Sequence, residues 1–290
     1  MSKKVIKIFF FIIAFTSLER FCHKQTEGFQ IHKILSNLSF DPKWGTPPLE
    51  KELEIALDQS YSFLGSGGQC YAFLSEDKQY VIKFFKQHHM RKIPYLEKIV
   101  LPSFLNRYRN KILLDRAKRS QERIFGSYKI AHDHLKKETA LLYLHLNKTT
   151  YFNKSLKIID KLGISHEIDI DTLEFSLQKT AVLAYPHLKS LIRQKNIPEL
   201  KQCIRSLCGL IATRFKLGIT DEDPAYEKNF GFINNIAVEI DLGSFTWASD
   251  AGNLQILQQE THDFKNWLAK RCPELVDYFN EQLDEALRYN

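Results

Sequence analysis

Residues 61–85, YSFLGSGGQCYAFLSEDKQYVIKFF, decide the fold. Three apolar runs of strand length are separated by two turns, Gly65-Ser66-Gly67-Gly68 and Asp77-Lys78. Short runs rich in Tyr, Phe, Val and Ile, punctuated by Gly and Asp, form antiparallel strands. Lys83 stands among apolar neighbours in the third run, so that strand carries a charge at a fixed place.

Towards the C-terminus, residues 87–114 are basic and irregular, with Pro94 and Pro102. A helix is expected over 115–146, whose later part places Tyr128, Ala131, Leu135, Leu142 and Leu146 at helical spacing. Strands over 164–170 and 173–179 are expected to pair across Asp171-Thr172, with a further strand over 156–162. Asn196 reads as an N-cap followed by an early Pro198, and Leu200, Ile204, Leu207, Cys208, Ile211 and Phe215 line one helical face that Gly218 closes. A hairpin is expected from 229–233 and 237–242 around Asn234-Asn235, then helices from about 254 interrupted at Pro273. Antiparallel strands segregated from a helical half make an α+β architecture.

Towards the N-terminus, residues 24–50 are polar, carry Pro42, Pro47 and Pro48, and read as a linker or extension. Lys3, Lys4 and Lys7 precede an apolar run over 8–15, the order of a targeting segment. The run falls short of the about 20 apolar residues that a membrane crossing needs. A signal, an uncleaved anchor and a buried N-terminal helix are the alternatives, with targeting or membrane attachment favoured. The expected organisation is a hydrophobic targeting or anchor segment over 1–22, an extension over 23–57, and two further parts over 58–185 and 186–290.

Four chemical features follow one another. They are the Gly-rich turn, Lys83 on a strand, the acidic stretch Thr220-Asp221-Glu222-Asp223-Pro224 with Asn229 beyond it, and Asp241-Leu242-Gly243. Glycines let backbone N–H groups approach phosphate oxygens. A strand lysine offers a fixed positive charge, Asn and Asp oxygens suit Mg²⁺, and a further carboxylate can take a proton from an attacking hydroxyl.

In this order the chain resembles the protein-kinase-like superfamily over roughly residues 60–250. The matching motifs are G-S-G-G-Q-C at 65–70, V-I-K at 81–83, D-E-D-P-A-Y-E-K-N at 221–229 and D-L-G at 241–243. The resemblance implies a bilobal kinase-like fold with a small antiparallel-sheet N-lobe and a short, mainly helical C-lobe. It implies Mg²⁺ and ATP as cofactors, with Gly65, Gly67, Gly68 and Lys83 on the phosphates. Asp223 is the implied catalytic carboxylate with Asp221 as its rival, and Asn229 and Asp241 are the implied metal ligands. A helical Glu should pair with Lys83; Glu138 is the first choice and Glu122 the alternative. Cys70 replaces a loop glycine, no His-Arg precedes Asp223, and only 47 residues follow Gly243. These departures point to an atypical kinase transferring the γ-phosphate to a hydroxyl on a protein, sugar or lipid, or to a pseudokinase that binds or scaffolds.

Composition excludes other classes. Of 290 residues, 44% are hydrophobic and 26% charged, which rules out a disordered chain, a collagen-like fibre and a polytopic membrane protein. Cysteines at 22, 70, 203, 208 and 272 are odd in number and irregular in spacing, so neither a disulfide framework nor a zinc site is expected. Residues 78–137 hold sixteen Lys/Arg and four Asp/Glu; that local +12 leaves −5 elsewhere in a chain of net +7. Arg116, Lys118, Arg119 and Arg123 suit phosphates of a lipid, a glycolipid or nucleic acid, nucleic acid being least favoured because aromatic interleaving is missing. The paired histidines His88-His89 read as solvated surface, and Trp44, Trp247 and Trp267 as packing residues. Expected partners are a nucleotide, a hydroxyl acceptor of anionic character and a membrane met through the N-terminus. Oligomeric state stays open. Location is at a membrane or outside the cell through the N-terminal segment, or else cytoplasmic.

Overall fold

The computed structural model describes residues 3–45, 48, 50–90, 102–248 and 254–288. It divides into two compact units, Met1–Ser120 with His145–Leu177, and Gln121–Leu144 with Gln178–Asn290. The expected parts 58–185 and 186–290 differ from this division chiefly in residues 121–144, which group with the second unit. The reading of residues 91–101, Pro94 included, and of Pro47 lies outside the described residues.

The first unit opens with helix α1 (Lys3–Thr26) and carries β1 (Tyr61–Ser66), β2 (Cys70–Ser75) and β3 (Tyr80–Phe85) where the sequence places them. β1 pairs antiparallel with β2, and β2 with β3. β4 (Leu141–His145) crosses the division between the units. β5 (Ser155–Ile159) and β6 (Ser165–Asp169) continue the sheet of the first unit, and β7 (Phe175–Lys179) begins in that unit. Within it the strand order is β7-β3-β2-β1-β5-β6. The sheet is therefore mixed, because β1 and β5 run parallel, where an all-antiparallel one was expected.

The expected pairing of 164–170 with 173–179 is incorrect: β6 pairs with β5 instead. The turn lies at residues 160–163, where Asp160 Oδ1 accepts from the amides of Leu162 and Ile164 and Gly163 takes φ +81°. Asp171-Thr172 sits in a buried 3₁₀ turn that carries the chain away from β6, with Asp171 accepting from the amides of Phe152 and Asn153.

The N-terminal extension is not a loose linker. Phe29 is buried against Tyr71 and Phe73 at ring distances of 5.2 and 5.3 Å. Asn147 and Asp41 exchange two hydrogen bonds, and Trp44, in the turn that Asp41 opens, is buried. Proline content suggested a linker, but three aromatic or aliphatic side chains, Phe29, Ile34 and Trp44, outweigh it by burial.

After the short helix α2 (Lys51–Glu54) comes helix α3 (Ser103–His134), which starts earlier and ends sooner than the expected 115–146. Beyond its end a turn closes at Ala140, at φ +50°, and leads into the β-prone run Leu-Leu-Tyr-Leu-His of β4.

The second unit is mainly helical. Helices α4 (Ala184–Gln194), α5 (Ile197–Lys216), α6 (Leu254–Ala269) and α7 (Val276–Arg288) enclose one apolar core that includes Leu188, Ile204, Cys208, Phe264 and Phe279. Asn196 caps α5 through the Glu199 amide at 3.4 Å, and Gly218 ends it at φ +70°, as the sequence indicates. Helix α4 was not foreseen.

Strand β8 (Val182–Leu183) joins β10 (Phe230–Ile233), which pairs with β11 (Ile236–Glu239) across Asn234 and Asn235, both at positive φ. β9 (Ile219–Asp221) pairs with β12 (Phe245–Trp247). Trp267 is buried, but Trp247 is 54% exposed and is no core residue.

Candidate functional site

In the first unit, register puts the expected phosphate residues side by side. Gly65 pairs with Ala72, and Ala72 with Lys83. Directly paired residues point to the same face of a sheet. Lys83 therefore stands half-buried beside two of the smallest side chains, about 10 Å of sheet width from Gly65. A register shift between Phe63 and Gly65 brings this about.

Gly65 and Gly68 have nothing within 4 Å of where a Cβ would stand, and Gly67 has only the Cys70 carbonyl at 3.8 Å. None of the three takes a positive φ. The fold itself does not demand glycine there.

The turn is held by Lys86, which the sequence reading did not single out. Its Nζ donates to Ser66 Oγ at 2.9 Å and to the Gly67 carbonyl at 2.5 Å, and lies 4.6 Å above the Tyr71 ring. Burial lowers its pKa; the Cys70 thiol opposes this and Lys33 adds to it. The only sequence signal was a second lysine three residues beyond Lys83.

In the second unit, Asp223, Asn229 and Asp241 are tied together through the backbone. Asn229 Nδ2 donates to the Asp223 carbonyl at 2.7 Å. The Asn229 carbonyl accepts from the amides of Ile240 at 2.7 Å and Asp241 at 3.4 Å. Asp241 Oδ1 accepts from the Gly243 amide at 3.2 Å, which shapes the D-L-G turn. Ser127 on α3 fixes the far side of that turn: its hydroxyl donates to the Leu242 carbonyl at 2.5 Å and accepts from the Phe245 amide at 2.6 Å.

Asp221 and Asp223 differ in environment. Asp223 is exposed, with Lys228 Nζ 3.6 Å from its carboxylate. Asp221 is buried, and its Oδ1 accepts from the Asp223 amide at 2.9 Å.

Beneath Asp221 lies a charged cluster that periodicity could not reveal. Arg214 of α5 is 1% exposed, 3.0 Å from Glu260 and 3.5 Å from Glu239. Glu260 Oε1 also accepts from the Asp221 amide at 3.2 Å. Burial works against the Arg214 charge, and Glu239, Glu260 and Asp221 outweigh it. Burial likewise pushes the Glu239 carboxyl well up, against Arg214 and with Asp221 and Glu260. The 221–229 loop is thus seated on a buried guanidinium.

Glu138 is not helical. It lies half-buried in the turn after α3, where its carbonyl accepts from the Glu239 amide at 2.8 Å, while Glu122 is exposed on the helix. His88 and His89 are exposed beside each other, and no group of three or more metal-binding His, Cys, Asp or Glu occurs among the described residues. All five cysteines are free thiols. One cavity of about 600 Å³ is lined by Ser66 of the Gly-rich turn and the C-terminal part of α1, and another of about 510 Å³ by residues that include Lys189, Arg193 and Arg271.

No family model and no curated protein matches the chain. Among solved structures, WbdD in complex with the kinase inhibitor LY294002 is 17% identical at a TM-score of 0.38, covering 77% of this chain and 44% of that one. A second structure, of the bifunctional kinase-methyltransferase WbdD, is 15% identical at 0.38, covering 75% and 42%. The chain spans less than half the length of those chains.

Proposed function

We propose that the protein is an atypical kinase-like phosphotransferase moving the ATP γ-phosphate to a hydroxyl acceptor. The observation that carries the reading is the backbone-tied cluster of Asp223, Asn229 and Asp241. It fixes one exposed carboxylate and two oxygen-bearing side chains on a rigid support. Supporting it in the first unit are three glycines that the fold does not require, and a lysine aligned with Gly65 and Ala72. Glycine without a structural need leaves room for a ligand to approach the backbone.

The donor set suits magnesium. Asn229 commits its Nδ2 to Asp223, which leaves its amide oxygen for a cation, and Asp241 contributes a carboxylate. Mg²⁺ takes one or two carboxylates and completes its shell with phosphates and water, so a larger acidic cluster is not needed. Bound Mg²⁺ would neutralise charge on the transferred phosphoryl group. Lys83 and the amides of the Gly-rich turn hold phosphate oxygens. Asp223 accepts the proton of the acceptor hydroxyl, while buried Asp221 positions the loop.

Thermal-shift titration with ATP, with and without Mg²⁺, tests nucleotide binding, and phosphotransfer assays on Asp241→Ala test the chemistry. The expected result is a Mg-dependent stabilisation and turnover in the parent, both lost in the variant. No shift at millimolar nucleotide, or undiminished phosphotransfer by Asp241→Ala, overturns the assignment. A shift without turnover in the parent leaves a nucleotide-binding pseudokinase.

A further inference from the structure

Two elements of the first unit expose apolar surface that nothing in the described chain covers. On α1, Phe9, Phe10, Phe11 and Phe15 are 57–71% exposed, with the adjoining Ile8 and Ile12 also exposed. On α3, Leu105, Tyr108 and Ile112 are exposed at i, i+3 and i+7, which sets them on one helical stripe. Arg116 and Arg119 continue that stripe at four and seven residues beyond Ile112. Residues 105–119 carry six Lys/Arg against Asp115 alone, and only Leu113 and Ala117 among the fifteen are buried.

We infer that the first unit docks on an anionic lipid bilayer, with α1 entering the acyl region and the basic face of α3 meeting the headgroups. Length favours insertion without crossing. The eight-residue run 8–15 spans about 12 Å of helix, close to one leaflet of a hydrocarbon core about 30 Å thick. No described helix is long and apolar enough to cross a membrane.

Charge selects the occupant. Apolar side chains interleaved with arginine match a surface that is anionic at the headgroup and oily beneath it. A second copy of the chain would set like charges against each other across α3, and a nucleic-acid backbone would leave the phenylalanines of α1 uncovered. Weak single attachments become stable when an apolar insertion is joined to a polybasic patch, and this unit supplies both.

Flotation of the full chain with phosphatidylcholine vesicles, with and without about 30% phosphatidylserine, tests the inference. Binding is expected only when the anionic lipid is present, and is expected to weaken as salt is raised. Arg116→Gln/Lys118→Gln/Arg119→Gln should lower vesicle affinity by about tenfold or more and remove most of the salt dependence. Phe9→Ser/Phe10→Ser/Phe11→Ser should remove the binding that survives high salt. All six positions are exposed, so matching melting curves will separate lost docking from lost folding. Equal binding to neutral vesicles, no binding to either, or retention on RNA without vesicle binding overturns the inference.

Discussion

Glu174 is the residue whose chemistry is most constrained by its surroundings. It is 1% exposed, accepts from Ser36 Oγ and Gln87 Nε2 at 2.6 Å each, and its pKa is pushed up to about 7, by burial above all. A carboxyl raised in the folded state contributes stability that is complete below its unfolded pKa and is lost as pH rises through the folded one. The contribution of Glu174 to stability should therefore fall between about pH 4.5 and pH 7, by roughly 3 kcal/mol in all. Glu174→Gln keeps the volume and the acceptor for Ser36, and can supply a donor to the buried, unpartnered Gln87 Oε1 once the Gln87 amide turns. Urea unfolding across this range should show stability falling more steeply with pH in the parent than in the variant. In the second unit, Glu239 Oε1 and Asp221 Oδ2 are both buried acceptors that meet no donor among the described residues, the two carboxyls interact with each other, and one proton held on Glu239 satisfies both. Glu239→Gln should then cost no more than about 1 kcal/mol, because it replaces a carboxylic acid by an isosteric donor. Arg214→Met should cost about 3–5 kcal/mol, because it strands buried carboxylates. Equal costs for the two, read from denaturation midpoints, would refute the protonated state of Glu239.

At the scale of elements, glycines separate structure from ligand. A Cβ at Gly231 on β10 would stand 2.8 Å from the Val182 carbonyl and 2.9 Å from Ala181 Cβ, so β8 must move to admit it. Gly231→Ala should lower stability by about 1–3 kcal/mol. Gly65→Ala and Gly68→Ala meet nothing among the described residues and should leave the melting temperature near the parent value while weakening the proposed ATP binding. Loss of stability without loss of binding would take the turn out of the proposed site. Elements were legible in the sequence where local chemistry decided them: the β1–β3 hairpins from their turns, α5 from its cap and stripe, and β10–β11 from Asn234-Asn235. They were misread where distant packing decided. Residues 164–170 and 173–179 look like a hairpin, yet Asp171 spends its side chain on the 149–153 segment and the chain turns away. Residues 136–146 continue an apolar rhythm, yet a run of Leu and Tyr suits a strand once Ala140 has turned. Candidate site residues such as Lys83 and Asp241 stood out by motif, whereas Arg214, Glu260 and Lys86 carry no motif and act through contacts far apart in sequence.

For the whole molecule, the division into two units makes a thermodynamic claim. The first unit's core is aromatic, with Phe29, Phe73, Phe84 and Phe175 linked ring to ring. The second has its own apolar core, in which Tyr185 stacks on Trp267 at 4.4 Å and Phe264 packs on Phe279 at 5.2 Å. Glu174 and Arg214 belong to different units and share no hydrogen-bond or ion-pair partner among the described residues. Substitutions that share no partners add, usually to within about 0.5 kcal/mol. Glu174→Gln gains at pH 8 what Arg214→Met does not touch, so the double variant should sit at the sum of the two singles. Unfolding followed by circular dichroism at about pH 8 measures it: the Glu174→Gln gain should be the same with and without Arg214→Met. A coupling above about 1 kcal/mol would mean that the two cores respond as one, since only a shared network or a shared shift of backbone produces it.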